Sequence, residues 1–139
     1  MRLPVPLGDL RPSGASTRAP RNAPRSVLGV SPTIELARFT VRPGAEPQLL
    51  AERPAMLAAL RARFPGCVAA YLAKEEDGGW LDIIVWRSRE EAEASARDIG
   101  EVPEAVSWFR HIAESGGIRH VEVADAWPAG APSAQLEVQ

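Results

Sequence analysis

Residues 78–92 read GGWLDIIVWRSREEA, and this stretch predicts a tight turn, a buried strand and the start of a helix. The two leading glycines favour the turn because Gly adopts positive φ without steric cost. Leu81–Trp86 is apolar on both faces apart from Asp82, which is typical of a strand covered on both sides. Ser88 precedes Glu91 by three residues, the spacing of a capping box at a helix start. The rest of the chain must therefore cover both faces of this strand.

The composition indicates an ordinary globular protein. At 139 residues the chain is long enough for one domain with tails, and its hydrophobic content of 45% and charged content of 24% are unremarkable. The net charge of −2 gives no bulk attraction to nucleic acid. One cysteine and two histidines at unrelated spacings are too few for a disulfide framework or a metal site. The sequence therefore predicts no metal and no nucleic-acid partner.

The chain carries no sign of membrane insertion or secretion. No apolar run approaches the roughly 20 residues needed to cross a bilayer. The first residues lack the apolar segment of a secretion signal. We therefore expect a cytoplasmic protein with no membrane partner.

Both ends of the chain differ from its centre. Residues 1–31 hold five arginines, a single acidic residue (Asp9) and many prolines, and too few apolar side chains to offset the ordering entropy. We expect a disordered basic tail, with an acidic-partner or nucleic-acid arm, a transit peptide and a later translation start as alternatives. Residues 128–139, rich in Ala, Pro and Gly, form a second predicted tail, although 135–138 could add a short strand. The folded domain is predicted to span 32–127.

Hydrophobic periodicity between the tails predicts strands and helices in the order β-α-β-β-α-α-β. This order is the ferredoxin-like split βαβ arrangement, an α+β fold whose antiparallel sheet carries helices on one face. Because the central strand looks covered on both faces, a second copy packed against the open sheet face is the simplest cover. We therefore expect a homodimer formed through the sheet faces. The predicted elements are Thr33–Val41, Pro47–Arg63, Cys67–Lys74, Leu81–Trp86, Arg89–Asp98, Pro103–Glu114 and Ile118–Trp127.

The long first helix has an apolar stripe and one irregularity. Leu50, Leu57 and Phe64 recur every seven residues, with Leu60 beside them, and this spacing predicts the buried face. Pro54 lies inside the helix, where the missing N–H predicts a bend.

Asp82 is the first candidate for a catalytic group. A carboxylate inside an apolar strand is costly unless it is paired, protonated or next to a wet pocket. It is therefore a candidate general base or substrate anchor. The structural alternative is an ion pair with Arg38 or with another cation from a strand or helix.

Two histidines are the other candidates. His120 and Glu122 are two residues apart on the last strand and share one face, so they could form an acid–base pair. If Val121 and Val123 face the helices, His120 faces the dimer partner or solvent. His111 is predicted on the short last helix, as a pocket residue or as a half-exposed histidine near a helix end.

The aromatic residues could line a flat pocket for a planar aromatic ligand. Trp80, Trp86, Trp108 and Tyr71 each carry a large apolar area, and in a small domain most such residues belong to the core.

Four stretches carry a family resemblance: TVRPG at 40–44, AERPAMLAAL at 51–60, FPG at 64–66 and above all WLDIIVWRS at 80–88. They resemble the antibiotic biosynthesis monooxygenase (ABM) superfamily of dimeric α+β barrels. The resemblance covers about residues 33–125. It implies a dimer with a pocket between each sheet and its helices. The superfamily includes cofactor-independent oxygenases acting on phenolic or quinol substrates, haem-degrading enzymes and members with no known activity.

Two functional hypotheses follow. The first is a cofactor-independent monooxygenase of a small phenolic or polyketide-like substrate, with Asp82 or His120 as the base that deprotonates it. The second is a non-catalytic dimeric protein of the same fold that binds a small molecule or acts as an accessory. The first hypothesis predicts no cofactor and makes Arg38 an anion stabiliser. The residues assigned to substrate binding are Arg38, Tyr71, Trp86, Trp108 and His111.

Overall fold

A computed structural model describes residues 30–128. Residues 1–29 and 129–139, which hold most of the two predicted tails, lie outside this part, so the predictions for the tails stay predictions. No helix between residues 30 and 128 is long and apolar enough to cross a membrane. The elements are β1 Thr33–Val41, α1 Glu46–Arg63, β2 Cys67–Lys74, β3 Trp80–Trp86, α2 Arg89–Asp98, a 3₁₀ turn Ile99–Glu101, α3 Pro103–Phe109 and β4 Ile112–Glu122.

The four strands form one antiparallel sheet in the order β2-β3-β1-β4. The α+β, ferredoxin-like fold predicted from the sequence is confirmed. The register places Phe39 opposite Trp80 and Glu35 opposite Ile84, so these side chains share one face of the sheet. This face packs against the helices, and its core residues include Phe39, Trp80, Ile84, Trp86, Leu49, Met56, Leu60, Ala92 and Trp108.

The alternate side chains of the strands form a second apolar face, which we call the open face. The register places Leu36 opposite Ile83, and Ile83 opposite Tyr71, on this side of the sheet. Tyr71 is 51% exposed, and the others are half-buried in the single chain. The larger apolar residues of the open face are Ile34, Leu36, Tyr71, Leu81, Ile83 and Val121.

The predicted capping box starts α2. Ser88 has an extended backbone, and its Oγ accepts a hydrogen bond from the backbone N–H of Glu91 at 3.2 Å. The same Oγ donates to Glu91 Oε1 at 3.1 Å, and Arg87 holds that carboxylate from the other side. The cap therefore ends β3 and begins α2 within two residues, which fixes where the helix crosses the sheet.

The buried face of α1 differs from the predicted stripe. Leu49, Arg53, Met56 and Leu60 are buried, whereas Leu50 is 47% exposed. Of the predicted stripe, Leu60 and Phe64 are buried and Leu57 packs against the core, so the prediction was wrong for Leu50 alone. Arg53, a charged residue, also lies on the buried side. Pro54 lies inside the helix as predicted.

The predicted boundary between the last helix and the last strand is also wrong. α3 ends at Phe109 and β4 already begins at Ile112, so His111 lies in the turn between them. Gly116 and Gly117 fall between the predicted helix and the predicted strand. In the structure they lie inside β4, at a shift in its register with β1. Gly117 has φ +94°, and a Cβ on Gly116 would lie 3.2 Å from the backbone oxygen of Arg38. Glycine is typical of such an irregularity, where the chain bends and another backbone comes close.

Replacing Ser88 with Ala should lower the free energy of unfolding by about 1 kcal/mol, because the N–H of Glu91 loses its acceptor. Urea unfolding followed by circular dichroism measures the change. Ser107→Ala is the matched control, since Ser107 accepts only from the exposed Arg110 and its loss should change stability by less than about 0.5 kcal/mol. Equal stability of Ser88→Ala and the wild type would contradict the capping role.

Candidate active site

Asp82 forms a buried ion pair with a residue of the first helix. It lies on the helix-facing side of β3 and is 8% exposed. Arg53 of α1 binds both carboxylate oxygens, with Nη2 2.7 Å from Oδ1 and Nη1 3.2 Å from Oδ2. Among the partners considered from the sequence, the cation is therefore one from a helix and not Arg38.

Trp108 completes the surroundings of this pair. The Arg53 guanidinium lies over the Trp108 ring, 5.3 Å from its centroid, a favourable arrangement of a cation on an aromatic face. The indole N–H of Trp108 donates to the carbonyl of Leu49 at 2.8 Å. That carbonyl is next to the one that Pro54 leaves without its helical donor. The irregular turn of α1 is thereby tied to α3.

A second buried pair joins the edge strand to β1. His120 Nε2 lies 3.0 Å from Glu35 Oε1, and the two side chains are 13% and 11% exposed. The register places them directly opposite each other on the helix-facing side of the sheet. Val121 lies on the open face, so the condition under which His120 was expected to face the dimer partner or solvent is not met. Glu122 is exposed and is not its partner.

Burial raises the pKa of the Glu35 carboxyl above its ordinary value. The hydrogen bond and charge of His120 and the indole of Trp86 act to lower that pKa, while the like charge of Asp82 raises it. The carboxylates of Glu35 and Asp82 therefore interact electrostatically on one face of the sheet. The Glu35–His120 pair and the Arg53–Asp82 pair thus form a single polar cluster. We call Glu35, Arg53, Asp82 and His120 the inner cluster.

Trp86 borders the inner cluster and is fully buried. Its indole N–H has no hydrogen-bond partner among residues 30–128, although it is close enough to the Glu35 carboxylate to lower the pKa of that group. A buried donor without an acceptor costs about 1–3 kcal/mol. The Glu35 carboxylate is the acceptor that this donor approaches.

His111 lies apart from the inner cluster. Its Nε2 is 2.9 Å from Glu52 Oε1 of α1. The adjoining Ile112 pairs with Val41 at the far end of β1 from Glu35, which six strand residues place about 20 Å away.

Arg38 and Tyr71 are on the open face and so on the other side of the sheet from Asp82. Arg38 forms an exposed ion pair with Glu75, and Tyr71 is opposite Ile83. The structure therefore brings together Asp82, His120, Trp86 and Trp108 of the predicted site, and places Arg38, Tyr71 and His111 elsewhere. Their predicted roles in substrate binding stay predictions.

A groove of about 330 Å³ runs between α1 and the edge strand β2. It contains no residue of the inner cluster. Burial raises the pKa of the Cys67 thiol in its wall to about 11, so this thiol is protonated and unreactive near neutral pH. The lining residues are Pro54, Leu57, Ala58, Arg61, Cys67, Ala69 and Ala70.

Sequence reasoning missed Glu35 and Arg53. Each carried a signal, because Glu35 shares its strand face with Phe39, and Arg53 stands four residues after Leu49 and three before Met56. Both positions are charged residues on otherwise buried stripes. Between residues 30 and 128, no group of three or more His, Cys, Asp or Glu side chains could hold a metal ion.

Comparison with known families identifies the fold. The family described as antibiotic biosynthesis monooxygenase matches residues 32–98, which run from the start of β1 to the end of α2. The ABM family model therefore matches slightly under half of the chain. A comparison with curated proteins found no match.

Several solved structures share the fold of this chain. SnoaB, a cofactor-independent oxygenase from Streptomyces nogalater, is 23% identical, with a TM-score of 0.55, over 70% of this chain and 98% of SnoaB. A Mycobacterium tuberculosis protein is also 23% identical, with a TM-score of 0.51, over 70% of this chain and 99% of its own. A nipsnap family protein of unknown function from Agrobacterium tumefaciens is 12% identical, with a TM-score of 0.54, over 71% of this chain and 94% of its own. At these identities the likeness shows the fold alone.

The inner cluster combines residues inside the segment matched by the ABM family model with one residue that follows it. Glu35, Arg53 and Asp82 lie inside the matched residues, whereas His120 follows them. The ABM segment thus supplies the cation and both carboxylates, and β4 supplies the imidazole.

Breaking the Arg53–Asp82 pair on one side should be costly. Asp82→Asn leaves the buried guanidinium without its counter-charge and should lower the free energy of unfolding by about 3–5 kcal/mol, whereas Arg53→Met with Asp82→Val should recover most of that loss. Urea unfolding at neutral pH measures both. Arg63→Gln, which removes an exposed pair with Glu101, is the control and should cost less than about 1 kcal/mol. A double variant as unstable as Asp82→Asn would contradict this account.

Proposed function

We propose that the chain is a cofactor-independent monooxygenase that oxidises a small phenolic or polyketide-like substrate on the helix-facing side of its sheet. The observation that carries the proposal is the inner cluster, in which a buried cation and a buried imidazole–carboxylate pair lie among aromatic residues. The reaction needs a base to remove a proton and a positive charge to hold the resulting anion. Both groups are present on one face of the ABM fold.

His120 is the better of the two candidate bases. Asp82 accepts two hydrogen bonds from Arg53, so both of its carboxylate oxygens are already engaged. His120 uses only Nε2 in its contact with Glu35, which leaves Nδ1 for a substrate. We therefore assign the proton transfer to His120 and the orientation of Arg53 to Asp82.

Arg53 replaces Arg38 as the proposed anion stabiliser. Its guanidinium is buried and lies over Trp108, so a phenolate oxygen would meet a fixed charge and a planar aromatic surface together. In a site of low polarity such a charge interacts more strongly than it would in water.

The substrate itself supplies the electrons. After His120 removes a proton, the carbanion reacts with O₂, one oxygen atom stays on the carbon and the other leaves as water. For a methylene carbon the balance is CH₂ + O₂ → C=O + H₂O, so no external reductant is required.

The alternative is a non-catalytic protein of the same fold that binds a small molecule or acts as an accessory. The observation that favours it is the close packing of the helix-facing side, where Trp86 and Trp108 are fully buried and both ionic pairs are closed. A ligand would have to displace existing contacts to reach His120.

We also propose that two copies of the chain pair through the open face. This face carries apolar side chains from all four strands, and no helix of the described residues covers it. A symmetric dimer would bury it in the manner of two packed sheets.

Native mass spectrometry should give a complex of two 15.0 kDa chains. Ile83→Glu places a charge at the centre of the open face and should yield monomers, because the partner surface would have to desolvate it. Val106→Glu, at an exposed position on α3, is the matched control and should remain dimeric. A monomeric wild type would contradict the proposed pairing.

Oxygen consumption with a panel of phenols and hydroquinones tests the activity. At least one substrate should be consumed, and His120→Gln should lower kcat by about 100-fold or more, since general-base catalysis commonly contributes that much. Arg63→Gln should keep the wild-type rate. Full activity of His120→Gln would refute the assigned base, and no oxygen uptake with any compound would favour the binding or accessory protein.

A further inference from the structure

We infer that Glu35 is the positioning residue of the His120 base: it binds Nε2 and thereby leaves Nδ1 as the nitrogen that takes the substrate proton. The inference rests on the proposed oxygenase function, but its geometric part can be tested without any turnover.

The strand register fixes the pair. Glu35 and His120 are directly opposite residues of β1 and β4, so neither can slide along the sheet without breaking the ladder. The Nε2···Oε1 distance of 3.0 Å is that of a direct hydrogen bond. The backbone of His120 is held as well, since Arg89 of α2 donates to its carbonyl at 3.3 Å.

Charged and polar groups from several elements surround the Glu35 carboxylate. Asp82 of β3 adds a like charge that Arg53 of α1 balances, and the Trp86 indole points a donor towards the carboxylate. Burial disfavours an unpaired negative charge at Glu35. When His120 accepts a proton at Nδ1, the Nε2–H of the imidazolium faces the carboxylate and the net charge of the pair changes from −1 to zero.

The proton balance closes within the proposed reaction. Nδ1 takes the proton as the substrate C–H or O–H bond breaks, and the electron pair stays on the substrate next to Arg53. The imidazolium then gives this proton to the outer oxygen of the peroxide that forms on the carbon. The second hydrogen of that carbon leaves as a proton while the O–O bond breaks, which yields the carbonyl and completes the water molecule. Glu35 keeps its charge throughout and acts only through the orientation and charge of the ring.

The alternative is a structural role, in which Glu35 merely ties β4 to β1. In such a role, loss of Glu35 would lower stability. It would not change the tautomer of the His120 ring, and it would not lower kcat while leaving KM nearly unchanged. The chain offers a matched control, because His111 and Glu52 form a second histidine–carboxylate pair at the far end of β1.

The test uses the full chain with Glu35→Gln, which keeps the size of the side chain and removes its charge. ¹⁵N NMR should show neutral His120 of the wild type as the single Nε2–H tautomer, and Glu35→Gln should show a mixture. In oxygen uptake, Glu35→Gln should lower kcat about 100-fold or more with KM changed less than about twofold, since loss of the carboxylate in a comparable triad costs more than that. Glu35→Asp should restore part of the rate, and Glu52→Gln should leave it unchanged.

An Nδ1–H tautomer in the wild type, an unchanged tautomer in Glu35→Gln, or a wild-type kcat in that variant would each overturn the inference. If the wild-type protein consumes no oxygen, the proposed function fails, and the tautomer alone decides whether Glu35 orients the ring: Nε2–H supports this, and Nδ1–H refutes it.

Discussion

The ion pair between Arg53 and Asp82 is the constraint on which the interior of this domain depends. Two charges removed from water are stable only when each meets its partner with good geometry, and here the contact is bidentate. The pair joins the middle of α1 to an interior strand, so it fixes both the rotation of the helix and its height over the sheet. The aromatic core then fills the remaining space around it.

The rotation of α1 has consequences on both sides of the helix. It turns Arg53 and Leu49 towards Trp108 and brings Leu50 to the surface. Trp108 in turn holds the Leu49 carbonyl, which ties α3 to the irregular turn before Pro54. A charged residue on the buried side thus organises two helices, and the site gains a desolvated cation with an aromatic wall.

The sheet organises the other half of the inner cluster. β1 lies between β3 and β4. Glu35 of β1 therefore forms a hydrogen bond with His120 of β4 and interacts electrostatically with Asp82 of β3. A low-polarity setting strengthens each of these interactions and raises the cost of any unpaired group. The same setting that makes the cluster suitable for proton transfer also makes it a stable part of the core.

Local patterns in the sequence determined the first three strands, the capped start of α2 and the α+β fold, because alternation, glycine turns and the Ser88–Glu91 spacing act over a few residues. They also marked Asp82 as a charge that needs a partner. They did not identify the partner of Asp82. Arg53 is 29 residues away, and it was not part of the apolar stripe predicted for the buried face of α1. The pairing of His120 with Glu35, 85 residues apart, depends on strand order and register. Only the tertiary structure decided these contacts, because a hydrogen bond between distant residues is set by the packing of whole elements and leaves no periodic trace in the chain.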